Sequence, residues 1–341
     1  MPNVESILLE IEKLPTIEQE NILSTLEEVL LFGSHVGRIS QEVMESRFSK
    51  GKVCPHCGAE SISRNGKYNG KQRYICKSCN KSFTNFTNSA IYKSRSPLEK
   101  WFKYAKCMIA GYSIRKSAII VGINIATSFF WRHKILDCLK SFNGIGHVDG
   151  VVEADEVFFA ESFKGTKPSK MTRESRHRGS QVKKRGISHE QVCVATAIDR
   201  QGNLIMELLC KGRMTSNNLN KLYDGRIGEN SILCTDSHKS YNKFARDLSL
   251  DHKRIPSGKH KEGIYHIQHI NFIHSKLKRW MRAFNGVSTK YLSSYMCWFK
   301  WIELSGSDKD AIKIKNFMVQ SCVPHAYTKI SDFKTRIPVF V

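Results

Sequence analysis

The chain contains no uninterrupted run of about 18 apolar residues, the length a membrane-crossing helix requires, so no membrane span is expected. Its opening stretch, MPNVESILLEIEKL, lacks the basic start of a secretory leader and carries acids early instead. Without that leader, a disulfide framework is not expected, and the 11 cysteines read as free thiols or metal ligands. Acid is scarce overall: 31 Asp and Glu face 54 Lys and Arg in 341 residues, a formal charge of +23. Such an excess favours salt-dependent contact with phosphate, and nucleic acid is the expected partner. Residues 1–50 run the other way, with nine acids and four bases.

In that acidic segment Val4, Ile7, Leu8 and Ile11 fall at helical spacing, and Pro15 stops the run. Thr16 and Gln19 have capping-box spacing, followed by a second apolar stripe through Ile22, Leu23, Leu26, Val29 and Leu30. No chemistry is visible there. Residues 51–86 differ. Cys54-Pro-His-Cys57-Gly and Cys76-Lys-Ser-Cys79 are two Cys-x-x-Cys loops separated by 18 residues. Each loop offers two thiolates, and a hairpin between them can close a tetrahedron, so a structural Zn²⁺ ribbon is expected. Gly58 supplies the positive φ that follows such a loop. The other seven cysteines sit in apolar settings and read as core.

Residues 96–145 read as helices. Pro97 suits a helix start, and Trp101, Tyr104, Ala105 and Met108 share a face. Then Ser113 can cap a helix ending at Val121, Gly122 makes a tight turn, and a second helix runs from Asn124 to Ile135. This is a helix-turn-helix pattern, whose second helix offers Asn124, Thr127, Ser128 and Arg132 to a DNA groove.

From residue 147 the pattern turns to strands: DGVVEADEVFFA, QVCVATAIDR and GNLIMELLC, with a turn at Arg200–Asn203. A basic insert, 164–188, includes Lys183, Lys184 and Arg185 and reads as a loop that orders on DNA. Next come a helix from Thr215, the buried-type strand SILCTD, a short helix, a short strand at His252–Ile255, and a long helix from His266 to Phe284. That order is α/β and RNase H-like: a mixed-sheet core, 147–304, preceded by the four-cysteine zinc ribbon and the helix-turn-helix. Residues 305–341 carry no motif.

Asp155 lies in the first strand and Asp236 ends the SILCTD run. On the long helix Asn271 and Lys278 stand seven residues apart, about two turns, on a face shared with Ser275 and Arg282. Oxygen ligands from separate elements can thus meet around hard divalent ions, the requirement for phosphodiester chemistry. Glu156 points to the opposite side of an ideal strand from Asp155, and a bulge would be needed to bring it in.

Through CPHCG…CKSC, EADEVFF, CTDSHKSY and HIQHINFIHSKLKRWM, residues 50–304 resemble the bacterial insertion-sequence transposases of the DDE (RNase H-like) superfamily that carry an N-terminal zinc ribbon. The resemblance implies catalytic Asp155, Asp236, Asn271 and Lys278. It also implies Mg²⁺ or Mn²⁺ on Asp155, Asp236 and Asn271, and structural Zn²⁺ on Cys54, Cys57, Cys76 and Cys79. The expected activity is cleavage of double-stranded DNA at terminal inverted repeats and strand transfer, by at least a homodimer, in the cytoplasm at the bacterial nucleoid. Many relatives carry Glu where this chain has Asn271, so two carboxylates hold the ions instead of three. The alternative is an inactive, transposase-derived DNA-binding regulator.

Overall fold

The computed structural model describes residues 3–20, 22–23, 39, 41–49, 51–68, 71–171, 173–174, 186–256, 258–259, 261–306 and 308–341. Lys183, Lys184 and Arg185 of the basic insert lie outside the described residues, as does most of the apolar stripe after Leu23. The chain divides into two compact units, one of 1–107 with 309–325 and one of 108–308 with 326–341.

In the first unit α1 (Val4–Glu12) is capped by Asn3, whose side chain accepts from Ser6 N, and none of its residues is buried. The Gln19 side chain reaches the carbonyls of Glu12 and Leu14, so it braces the turn at Pro15 instead of closing a box with Thr16. Three antiparallel strands follow: β1 (Ile62–Tyr68), β2 (Lys71–Cys76) and β3 (Ser82–Thr84). Ile62 pairs with Cys76, and Tyr74 with Phe83. Tyr74, Phe83, Cys54 and Cys76 form a small buried cluster. So few apolar groups hold a ribbon this size weakly, which is why such modules need a cross-link or metal. Helix α2 (Leu98–Ile109) follows, and residues 310–322, which have no sequence motif, form a further helix.

The second unit begins with α3 (Ile114–Val121) and α4 (Ile125–Asn143). Ser113 caps the first by accepting from Lys116 N, and Gly122 at φ 64° ends it. Asn124 caps the second, which runs past Ile135 to Asn143. A five-stranded sheet follows, with β4 (Val151–Ala160), β5 (Gln191–Asp199), β6 (Leu204–Lys211), β7 (Ile232–Thr235) and β8 (Asp251–Arg254) in the order β6-β5-β4-β7-β8. The first three pair antiparallel, while β4, β7 and β8 run parallel. Antiparallel neighbours need just a tight turn, supplied at 200–203, where the Asp199 carboxylate accepts from Gln201 N and Asn203 N. Parallel neighbours need crossovers, supplied by α5 (Ser216–Tyr223) and α6 (Lys239–Asp247). This mixed topology is the RNase H-like core.

Residues 192–197 of β5 are all buried, as expected for a strand covered on both faces. Val152 and Ala154 of β4 pack on Leu219, Leu222, Tyr223, Tyr241 and Phe244 from α5 and α6. Each large apolar side chain buried there contributes about 1.5–3 kcal/mol. The other face carries α7 (Gln268–Arg282), against β4 and β5, and α8 (Thr289–Leu304), against β6 and α4. Trp298, Phe299 and Trp301 of α8 are buried, as their sequence setting implies. Among the described residues no helix is long and apolar enough to cross a membrane.

Candidate active site

The pleat of β4 sorts its acids. Val152 and Ala154 face the core, so Glu153 and Asp155 face α7. The ladder with β5 runs unbroken from Val152 to Ala160, with no bulge to turn Glu156 to the Asp155 side. Asp236 follows the last residue of β7, beside β4 in the parallel pair. Its Oδ1 accepts from His238 N at 2.9 Å, fixing the turn that feeds α6. Asp236 and Asn271 line one cleft of about 410 Å³, together with Ser237, Pro256, Lys259 and Gln268.

Asp155 completes the group electrostatically. Burial, aided by the Asp236 charge, pushes its carboxyl up to about 6, while the Glu156 N–H and the Lys278 ammonium pull the other way. Asp155 therefore lies within electrostatic reach of both Asp236 and Lys278. Asn271 and Lys278 are exposed on α7, while Ile270, Ile273 and Leu277 are buried beneath them. The amphipathic split read from the sequence places the amide and the ammonium on the open side.

Glu153 sets where α7 starts. It is 1% exposed, and its Oε2 accepts from the backbone N–H of His269 (2.9 Å) and Ile270 (3.1 Å). It thereby satisfies two of the free donors at the helix N-terminus and places a negative charge at the positive end of the helix dipole. Arg200 Nη1 lies 2.7 Å from its Oε1, with His266 and His269 also close. Three acid- or imidazole-bearing residues meet here, but the Arg200 guanidinium already supplies the cation.

His274, one turn after Asn271, is the residue sequence reasoning missed. It is 6% exposed. Its Nδ1 is 3.5 Å from Asp155 Oδ2, and its Nε2 is 2.7 Å from Thr196 Oγ1. Burial, with Lys278 adding to it, pushes the imidazole down to about 4, so the ring is neutral. Its i+3 spacing from Asn271 was the available signal.

The four cysteines come together as expected, all ligand atoms within 4.8 Å of one another. Sγ separations of 3.7 Å for Cys54–Cys79 and 3.6 Å for Cys57–Cys76 are those of thiolates around a tetrahedral ion, where ~2.3 Å bonds give ~3.8 Å between sulfurs. Gly58 (φ 78°) and Asn80 (φ 54°) each take the left-handed conformation after a Cys-x-x-Cys loop. The Cys79 N–H, with that of Ser78, lowers the Cys76 thiol to about 6, which favours the ligating thiolate.

The helix-turn-helix candidates divide. Asn124 is exposed but uses Oδ1 to cap α4, accepting from Ala126 N, and Thr127 is half-buried. Ser128 and Arg132 are fully buried and are not groove contacts. The Ser128 hydroxyl donates to Ile114 O across the turn. Arg132 donates to Tyr112 O and lies over the Trp298 ring, 4.9 Å from its centroid. The sequence suggested a polar face, but α8 covers that side of α4.

A protein of the transposable element ISH50 from Halobacterium salinarum is 26% identical over 262 residues, covering 76% of this chain and 87% of that protein. Of solved structures, the pre-cleavage Mos1 transpososome aligns with 61% of this chain and 74% of its own at 11% identity and a TM-score of 0.20. Residues 147–303, which hold Asp155, Asp236, Asn271, His274 and Lys278, match the ISXO2-like transposase domain.

Proposed function

We propose that this chain is the transposase of an insertion sequence, which binds the element's terminal inverted repeats and carries out divalent-metal-dependent DNA cleavage and strand transfer. The reading is carried by the cleft that Asp236, at the end of β7, and Asn271, in the first turn of α7, line together, with Asp155 of β4 close enough to feel the Asp236 charge. Two carboxylates and an amide oxygen are a hard-oxygen set suited to Mg²⁺ or Mn²⁺, and the buried Asp155 beside Asp236 calls for a counter-cation. Ions held by these residues would supply activation of a water or 3′-hydroxyl nucleophile and neutralisation of phosphate charge. Asp155 and Asp236 hold their oxygens rigidly, because one lies within a sheet ladder and the other is pinned by His238 N. Lys278 presents a point charge for the phosphate on the same helix face as Asn271.

Cys54, Cys57, Cys76 and Cys79 hold a structural Zn²⁺, and the ribbon with α3 and α4 recognises the DNA ends. Asn124, Thr127 and the basic insert with Lys183, Lys184 and Arg185 are the contacting groups. Residues 51–86, 96–145 and 147–304 act as ribbon, DNA-binding and catalytic segments. Joining both ends of an element requires at least a homodimer on DNA, at the nucleoid. The test is a mobility assay in cells, with the gene and its native flanking DNA beside a resistance marker. Transfer to a second replicon that disappears in Asp155→Ala is the expected result. Transfer that survives in that variant overturns the reading. Wild-type protein that binds the ends but never moves them makes the chain a DNA-binding regulator.

A further inference from the structure

We infer that His274 is an additional ligand of the divalent-ion site, its Nδ1 taking an ion together with Asp155; the inference rests on the metal-site reading above. The first ground is distance. Nδ1 and Asp155 Oδ2 are 3.5 Å apart, beyond the 2.7–3.2 Å of an N–H···O hydrogen bond. Adjacent ligands on an octahedral ion with ~2.1 Å bonds stand ~3 Å apart, close to what is seen.

The second ground is the tautomer. Thr196 Oγ1 lies 2.8 Å from the Asp155 carbonyl oxygen and 2.7 Å from His274 Nε2. A carbonyl can only accept, so the single hydroxyl hydrogen goes to Asp155 O. Oγ1 must then accept from Nε2–H. Nδ1 is therefore the ring nitrogen turned to the Asp155 carboxylate in a buried place, and in the neutral form in which a histidine ligates a metal it carries the lone pair. An acceptor for the far ring N–H, the place the Thr196 hydroxyl takes here, is the usual outer support of a ligating histidine. The register Asp155↔Thr196 puts that hydroxyl there.

The third ground is the helix. His274 follows Asn271 by one turn, so α7 offers an amide oxygen and an imidazole nitrogen on the same side. The imidazole also has a chemical consequence. Nitrogen ligands suit Mn²⁺ better than the harder Mg²⁺, so the site prefers Mn²⁺.

The test uses the zinc-replete full chain without DNA, titrated with Mn²⁺ and followed by electron paramagnetic resonance. The expected wild-type spectrum shows ¹⁴N coupling from a directly bound imidazole. His274→Ala loses the coupling and weakens Mn²⁺ binding on the order of tenfold or more. Two variants separate ligation from mere support of Asp155. Asn places an oxygen where Nδ1 stands, so His274→Asn restores most of the affinity without the imidazole coupling. Gln mimics Nε2 and keeps the Thr196 contact, so His274→Gln does not restore it. Affinity rescued by Gln and not by Asn, or Asp155-dependent Mn²⁺ binding without ¹⁴N coupling, overturns the inference. Mn²⁺ binding that survives Asp155→Ala overturns the metal-site reading itself, and a wild-type chain that binds no Mn²⁺ overturns both. Circular dichroism on each variant establishes that it is folded.

Discussion

Removing Glu153 is the sharpest probe of how the site is assembled. Its buried carboxylate accepts two backbone N–H groups of α7 and contacts Arg200 at 2.7 Å. Hydrogen bonds to a charged group contribute about 1.5–3 kcal/mol each. Glu153→Gln keeps one oxygen for a backbone N–H but turns an amide N–H towards the remaining donors. The expected loss is about 2–3 kcal/mol, against about 3–5 kcal/mol for Glu153→Ala, which leaves Arg200 and the helix end without an acceptor. In a unit of this size that corresponds to a melting temperature lower by roughly 5–10 °C for Gln, at about 2–4 °C per kcal/mol. Calorimetry on the purified chain measures it. Cleavage should also fall at temperatures where the variant is fully folded, because Asn271 sits in the first turn of the helix that Glu153 pins. A Gln variant that melts within about 1 °C of wild type and cuts DNA normally refutes the clamp.

Other consequences are as direct. Cys57→Ser should lose zinc by elemental analysis, unfold the ribbon and weaken binding to the element's ends, since structural metal binding is folding energy; full zinc content in the variant refutes this. Arg132→Ala should destabilise the fold by roughly 2–4 kcal/mol in urea titration without changing which DNA sequence is preferred, because the side chain stacks on Trp298 and not on DNA. His133 is held well below its ordinary 6.5, chiefly by burial and then by Arg336, Arg132 and Lys290. The folded ring stays neutral while the unfolded one takes a proton. Its contribution is therefore complete above 6.5 and is lost as pH falls, by up to about 1.4 kcal/mol per pH unit. His133→Phe should flatten the dependence of the urea midpoint on pH between neutrality and pH 5.

Local signals carried most of the second unit. The alternating and β-branched runs of β4, β5 and β6, the Gly202 turn and the polar face of α7 each follow from residues within one element. The cysteine loops were equally legible, since a tight turn fixes its own geometry. What stayed hidden depends on partners far along the chain. His274 looked like one more polar residue on α7, and its burial follows from the pairing of β4 with β5, which brings Thr196 beneath it. Ser128 and Arg132 looked like an outward face of α4 until α8, more than 150 residues on, supplied Trp298 to cover it. The helix at 310–322 carries no motif, and its place with the first unit depends on contacts that local patterning does not encode.

One strand gives three acids three different fates. Glu153 is neutralised by a helix end and Arg200, Asp155 lies on the α7 side near Asp236 and Lys278, and Glu156 points into the opposite face towards Tyr223 and Tyr241. Among the described residues its Oε1 is buried without a hydrogen-bond partner, and burial, opposed by the nearby Tyr241 hydroxyl, pushes the carboxyl up to about 8 from 4.5, so at neutral pH it is an uncharged acid. A folded value above the unfolded one means that stability is complete below 4.5 and declines as pH rises through about 8. Glu156→Gln imitates the protonated acid without its titration. It should leave stability unchanged near pH 4.5, raise it by roughly 2–4 kcal/mol at pH 7.5, and leave cleavage intact. Asp155→Asn, one residue away, should abolish cleavage. If Glu156→Gln instead abolished cleavage in a folded protein, Glu156 would belong to the metal site, and the unbroken β4–β5 ladder would have to give way during the reaction.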